Sequence, residues 1–334
     1  MVTISNCIGM IIAHSQANYF FVYNNVHMKA QFFPYAFFEG KVVKTEDAKV
    51  SIMTNALQYG TALFGGMRAY YNKEKKFLSL FRVEDHAQRL LNSLKVIGVS
   101  IPYSRQQLID ITLDLLGKNK PQTDTYFRPF AYAASLNLSP NLERDSEFGF
   151  ALYMIPLGEY LPTDKGLSVS VSSWRRVSDN AVPARAKISG SYINSALARK
   201  EANQNGYDEA IFLTEDGHVA EGSAENLFIV RDGVLVTPLD DILEGITRRT
   251  IIQFAKDNKI LVQERQIDRS ELYVADEAFF SGTGVQVAWI SHIDKRQIGN
   301  GKRGPITAKL QDLYFKTVRG NEKKYEKWCT KIKT

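Results

Sequence analysis

ARAKISGSYINS, residues 184–195, is the stretch on which the fold turns. Lys187 follows Pro183, Ala184, Arg185 and Ala186 and precedes Ile188, Gly190 and Tyr192, a mixture that suits neither a solvated helix nor a clean strand. A loop lysine is ordinarily a solvated surface group. It becomes chemically useful when burial or a neighbouring cation, here Arg185, shifts it toward its neutral, nucleophilic form.

Composition bounds what surrounds it. The chain has 334 residues, of which 44% are hydrophobic and 23% charged. It can bury a large core and is long enough for two domains. The net charge is +6, but the basic residues are spread among 36 acidic ones. Only the tail NEKKYEKWCTKIK concentrates them, and it reads as a solvated helix, so no nucleic-acid partner is expected. Cys7 and Cys329 lie at opposite ends without redox or metal spacing, which fits a reducing, cytoplasmic setting. The five histidines are scattered, and no metal is expected. No run approaches the ~18 apolar residues of a membrane span, so no membrane partner is expected either. Residues 1–28 contain no charged side chain, and fold-like patterning begins after them. They read as an appended segment ahead of a start at Met28.

The pattern along the rest predicts a small α/β domain over 29–156, a Pro/Gly-rich linker over 157–166 and a larger domain over 167–334. Glu39-Gly40 between apolar runs reads as a hairpin turn. VEDHAQRLLNSLKVIG and SRQQLIDITLDLLGKN read as helices, the second with Ser104 as N-cap. In the larger domain LSVSVSSW, EAIFLT, NLFIV, VLVTP, ILVQERQ and EAFFS read as strands, and GITRRTIIQFAKDN as a helix. Short turns predict a mainly antiparallel sheet, and a small-molecule site is expected between the domains.

Three further stretches could serve such a site. EGSAENLF sets Glu221 and Glu225 around a small-residue turn; GITRR opens a helix with Gly245, Ile246 and Thr247, a natural phosphate seat; SGTGVQ flanks Thr283 with Gly282 and Gly284, a shape suited to an anion nest. Each has a bland alternative: an exposed acidic loop, ordinary capping, a tight turn. Together with a lysine able to form an imine, they are the parts a pyridoxal phosphate site needs.

At these residues the chain resembles the fold-type IV pyridoxal phosphate enzymes, and most closely the branched-chain amino acid aminotransferases, over about residues 35–320. The resemblance implies an α/β (α+β) fold of two domains with the cofactor at their interface. It implies that Lys187 binds the cofactor covalently and is the catalytic base, and that Tyr192 hydrogen-bonds the phenolic oxygen. Glu225 is expected to meet the pyridine nitrogen, leaving Glu221 structural. Arg82 in LFRVEDHAQRL is expected to clamp the phosphate, with Ile246, Thr247 and Thr283 completing its seat. The substrate pocket is expected from Tyr59, Phe64, Gly66, Tyr126, Arg128 and Tyr160. Thr283 and Gly284 would take the α-carboxylate, and Arg128 the distal carboxylate of 2-oxoglutarate or L-glutamate. The substrates implied are L-leucine, L-isoleucine and L-valine.

The chain departs from the resemblance at Gly65, where many members carry Glu, at Gly284-Val285-Gln286, where many read Ala-Ala-Glu, and at Leu157, which replaces an aromatic. D-amino acid aminotransferase and aminodeoxychorismate lyase share the fold and are the nearest rival readings, disfavoured by Tyr59, Tyr126 and Arg128. A scaffold protein without activity is a third. Members assemble, so a homodimer or homohexamer is expected, with the loop Ser135–Pro140 reaching the partner's site.

Overall fold

Glu39 and Gly40 adopt φ of 46° and 88°, the left-handed pair that closes a two-residue hairpin without splaying its strands. They join Tyr35–Phe38 to Lys41–Lys44 in antiparallel register. The computed structural model that shows this describes residues 20–23, 26–29, 32–142 and 148–333. Residues 1–19 of the expected extension lie outside the described residues. Phe20–Tyr23 and Val26–Lys29 pair as a two-stranded sheet of their own, and the expected start at Met28 falls inside the second.

The small domain is an antiparallel sheet in the order Phe77–Phe81, Met67–Asn72, Thr125–Ala133, Phe148–Pro156, Tyr35–Phe38, Lys41–Lys44, with Ala62–Phe64 also on Thr125–Ala133. Helices Val83–Val96 and Arg105–Asn119 pack on it through Leu90, Leu94, Leu108 and Leu115. The second opens with a full capping box between Ser104 and Gln107, which satisfies two otherwise orphaned donors.

The larger sheet runs Val219–Gly222, Glu209–Leu213, Leu167–Arg175, Gln286–Ile293, Glu277–Gly282, Asn226–Arg231, Val234–Thr237, Val262–Glu264. Antiparallel pairs dominate, but Leu167–Arg175 is parallel to both neighbours and Val234–Thr237 is parallel to Val262–Glu264. Parallel neighbours require long crossovers. Helices Tyr192–Gln204 and Ile246–Asp257 supply two of them. The first left little trace in the sequence because its buried face is small residues, Ser195, Ala198 and Ala202.

The tail departs from expectation. Lys323–Trp328 is a 3-10 segment, and Cys329–Lys333 is a strand that returns to the small domain and pairs with Phe77–Phe81. The expected solvated helix loses because buried Cys329 and half-buried Ile332 complete a sheet edge. The last strand of the chain therefore belongs to the first domain. The domains are further joined by Tyr70 and Tyr314, whose hydroxyls lie 3.1 Å apart, and by the two-pronged bond of Arg319 to Asp124 at 3.1 and 3.0 Å.

Candidate active site

Lys187 is carried on a loop that docks across the domain boundary. Its carbonyl accepts from Phe64 N at 3.0 Å, Ser189 N donates to Ala62 O at 2.7 Å, and Gly190 N donates to Gly60 O at 3.1 Å. Gly60 is left-handed, with φ of 68°, and a Cβ there would come within 2.7 Å of Gly190 Cα. Gly60 therefore needs to be glycine for the backbones to meet, and a Cβ at Gly190 would sit tightly against Gly60 O at 3.1 Å. The loop thereby aims Lys187 into a cavity of about 560 Å³ between the domains.

Inside it the amine donates to the hydroxyl of Tyr192, the first residue of helix Tyr192–Gln204, and lies 5.0 Å from the Phe64 ring centroid. Loss of water contact, then the positive charge of Arg89, lowers its pKa to about 7, with Glu221 opposing. Burial and the Glu221 charge push the Tyr192 hydroxyl upward.

Glu221 and Glu225 both line the cavity but face different neighbours. Glu221 pairs with Arg176 at 3.0 Å, and its other oxygen accepts from Asn226 Nδ2 at 3.0 Å and Leu243 N at 3.2 Å. Burial raises its pKa, while Arg176, the Leu243 amide and Lys187 favour the ionised form. Glu225 accepts from Ala224 N through one oxygen and leaves the other buried without a hydrogen bond. Burial and then the nearby Glu209 carboxylate push it well above the usual carboxylate range.

At the far side helix Ile246–Asp257 points its N-terminus at the cavity, where Gly245, Ile246 and Thr247 form the wall, and no side chain caps it. Its first-turn N–H groups form an anion seat. Gly245 is obligatory, since a Cβ would fall 2.0 Å from Asn226 Oδ1. Arg82, expected beside this seat, donates to Ile246 O at 3.4 Å behind it but does not line the cavity. Its guanidinium is occupied by Asp85 at 2.8 Å, Thr250 Oγ1 at 2.8 Å and the Trp328 ring at 4.7 Å.

Arg89 lines the cavity instead. It lies four residues before Ser93, whose hydroxyl accepts from Lys187 N at 3.3 Å, so the i, i+4 spacing puts both on the face toward the lysine loop. Among the described residues Arg89 has no hydrogen-bond or ion-pair partner, and loss of water lowers its pKa to about 10. A shielded guanidinium without a counter-ion calls for an anion. The signal in the sequence was the helical register of QRLLNS, which the helix start at Arg82 obscured.

Seven of the remaining expected residues, Phe64, Gly66, Tyr126, Arg128, Tyr160, Thr283 and Gly284, also line the cavity. The Arg128 guanidinium lies 4.4 Å from the Phe64 ring centroid and 5.2 Å from that of Tyr126, and its Nε is buried without a partner. A Cβ at Gly66 would overlap the Tyr126 hydroxyl at 2.1 Å. Tyr59 is different: at the end of helix Asn55–Tyr59, it is 39% exposed and outside the cavity wall. Sequence reasoning missed Arg89, Arg176 and Arg199: Arg89 lies on the helix that follows Arg82, Arg199 on the helix that Tyr192 opens, and Arg176 just beyond strand Leu167–Arg175.

The Amino-transferase class IV family model matches residues 62–293, spanning the lysine loop, both glutamates and the Thr283 turn. A protein named "Probable branched-chain-amino-acid aminotransferase" from Aquifex aeolicus is 48% identical over 301 residues, covering 89% of this chain and 96% of that one. The crystal structure of a branched-chain aminotransferase from Thermoproteus uzoniensis with norvaline superposes with a TM-score of 0.86 at 44% identity, covering 90% of this chain and 99% of that one. The branched-chain amino acid aminotransferase from Thermobaculum terrenum in its PLP-form gives a TM-score of 0.85 at 36% identity, covering 90% of this chain and 99% of that one. The chain belongs to the class IV aminotransferases, within their branched-chain-amino-acid group.

Proposed function

We propose that this cavity transfers an amino group between L-leucine, L-isoleucine or L-valine and 2-oxoglutarate, with pyridoxal phosphate as cofactor. The observation that carries the reading is a lysine amine brought near neutrality between an anion seat and an arginine-bearing apolar pocket. The residues fit the cofactor: the unpartnered Arg89 and the uncapped helix at Gly245 suit its phosphate, and Tyr192 its phenolic oxygen. When bound, pyridoxal phosphate supplies a ring that takes up the electron pair left on removal of the substrate Cα proton.

This chain's residues do the rest. Lys187 Nζ takes the proton from the Cα of the amino donor and, in the second half-reaction, delivers one to the Cα of the amino acid formed from the 2-oxo acid, roles open to an amine with a pKa of about 7. Glu221, rather than Glu225, suits the pyridine nitrogen, because its charge acts on both Lys187 and Tyr192 and its pairing with Arg176 favours the ionised form against burial. The strongest charges on Glu225 are Glu209 and Arg199, away from the lysine. Arg82 gives way to Arg89 at the phosphate. Backbone N–H groups at Thr283 and Gly284 take the α-carboxylate, and the guanidinium of Arg128 takes part in holding the distal carboxylate of 2-oxoglutarate.

The direct test is an absorption spectrum of protein loaded with pyridoxal phosphate. L-leucine bleaches the visible band and 2-oxoglutarate restores it; a band that responds to D-alanine alone overturns the reading in favour of the D-specific rival. Arg128→Met raises KM for 2-oxoglutarate by about 10–100-fold, the loss of a charge-assisted pair, and an unchanged KM removes Arg128 from the pocket. Arg89→Met weakens cofactor binding by about 10–100-fold and Arg82→Met by much less. Fluorescence titration of the cofactor decides, and the reverse order reinstates Arg82.

The assembly is a homodimer or homohexamer. Ile52, Met53, Leu57 and Tyr59 form an exposed apolar group, and the same short helix bonds the 135–140 loop, where Leu136 and Leu138 are also exposed. A second copy would cover them. Sedimentation reports this, and a fully active monomer overturns it. Among the described residues no helix is long and apolar enough to cross a membrane. A cytoplasmic setting fits that and the free, buried thiol of Cys329.

A further inference from the structure

The linker between the domains is anchored at both ends; in its middle Leu161 is buried in the large-domain core and Tyr160 is tied by a hydrogen bond. Arg68 of the small domain donates to Leu157 O at 2.9 Å and Gly158 O at 2.7 Å. At the other end Gln311 Nε2 donates to Thr163 O at 3.0 Å. Between them the Tyr160 hydroxyl accepts from Arg199 Nη1, its one hydrogen-bond partner among the described residues, and the guanidinium lies 4.9 Å from the centre of the tyrosine ring.

Arg199 is itself fixed from within the large domain. It follows Tyr192 by two helical turns, so both project from one face of helix Tyr192–Gln204 toward the cavity. Its Nε faces Glu209 Oε2 at 3.6 Å, and Glu209 is fully buried, at 0% exposure. A buried carboxylate persists only with a partner. Arg199 therefore cannot swing away without stranding that charge, and its direction is set by the sheet beneath it.

Tyr160 forms the cavity wall opposite Gly284, where an added methyl would lie 3.8 Å from its ring. Its outer face stays wet, at 42% exposure, so packing alone does not hold it. We infer that Arg199 is a positioning residue: with Glu209 behind it, it latches the linker tyrosine in place as a wall of the substrate pocket. This rests on the function proposed above. Arg199 touches none of the reacting atoms in that mechanism, so its loss weakens ground state and transition state alike, which raises KM at constant kcat.

Two measurements on the cofactor-loaded protein test it. Arg199→Met and Tyr160→Phe each speed amide hydrogen exchange across residues 157–166 while helix 192–204 keeps its protection. Each raises KM for L-leucine by about tenfold with kcat within about twofold, the loss of one charge-assisted bond. The double variant is no worse than either single one, since both remove the same link. Arg199→Lys, which keeps a charge beside Glu209, restores part of the effect. Should Arg199→Met fail to fold, Tyr160→Phe decides alone, because it leaves Arg199 and Glu209 paired. Unchanged exchange in the linker, or a fall in kcat at constant KM, overturns the latch. A wild-type protein that does not transaminate L-leucine overturns the function instead, and the exchange result still reports on the latch.

Discussion

Lys187→Ala loses transamination by at least about 10³-fold while keeping its fold, because no other group at the Cα proton can carry it. The substitution deletes the amine of a residue whose backbone N–H and carbonyl, bonded to Ser93 and Phe64, remain in place. The loss is accordingly in kcat and in the visible absorption band, with an unchanged melting temperature. Small primary amines added to the variant recover a fraction of the rate, a rescue that a merely structural role would not show. The pH dependence has a definite sign. Lys187 is a lowered cation with a pKa of about 7, so the neutral amine that captures the cofactor grows as pH rises through 7, rather than through the ordinary lysine range near 10. Rates of cofactor capture by cofactor-free protein measure this, and a rise only above about pH 9, toward the ordinary lysine range, would falsify the shift. Retention of the wild-type rate by Lys187→Ala removes the mechanism altogether.

Glu221→Gln lowers kcat by about 10²–10³-fold, and Glu225→Gln changes it by less than about tenfold. The contrast comes from charge. Glu221 is the carboxylate with an arginine at 3.0 Å and two N–H donors, so it can stand as an anion opposite a protonated ring nitrogen. Glu225 is driven toward the neutral acid by burial and by Glu209, and a glutamine there replaces a group with little charge to lose. The first substitution also leaves Arg176 buried without its counter-charge, which lowers stability, so the two variants are compared well below their melting temperatures. If Glu225→Gln proves the more damaging, the pyridine nitrogen belongs to Glu225 as the sequence suggested.

These two cases mark where local signals stop. The spacing in EGSAENLF places two carboxylates beside the site without ranking them. The ranking depends on Arg176, from the strand end Leu167–Arg175, and on Glu209, from the neighbouring strand Glu209–Leu213. Arg82 and Arg89 repeat the lesson on one helix. Both are arginines near an expected phosphate seat, and only the packing of Val83–Val96 against the lysine loop turns Arg89 inward. Tyr59 shows the reverse: it belongs to a motif whose other members, Phe64 and Gly66, reach the cavity, while it faces outward from its short helix.

What the sequence by itself determined was whatever a few adjacent residues decide: the left-handed turn at Glu39-Gly40, the capping box at Ser104, the uncapped helix start at Gly245 and the lysine loop with its tyrosine five residues on. Each follows from backbone sterics or from hydrogen bonds within one turn, which range over short sequence distances. Only the tertiary structure decided which arginine lines the cavity and which charges surround each glutamate, which strand pairs of the large sheet run parallel, and that the basic tail completes the first domain's sheet as a strand. Those outcomes rest on burial and on charges brought together from distant segments, and neither the dielectric around a side chain nor its neighbour across a sheet is encoded in the residues beside it.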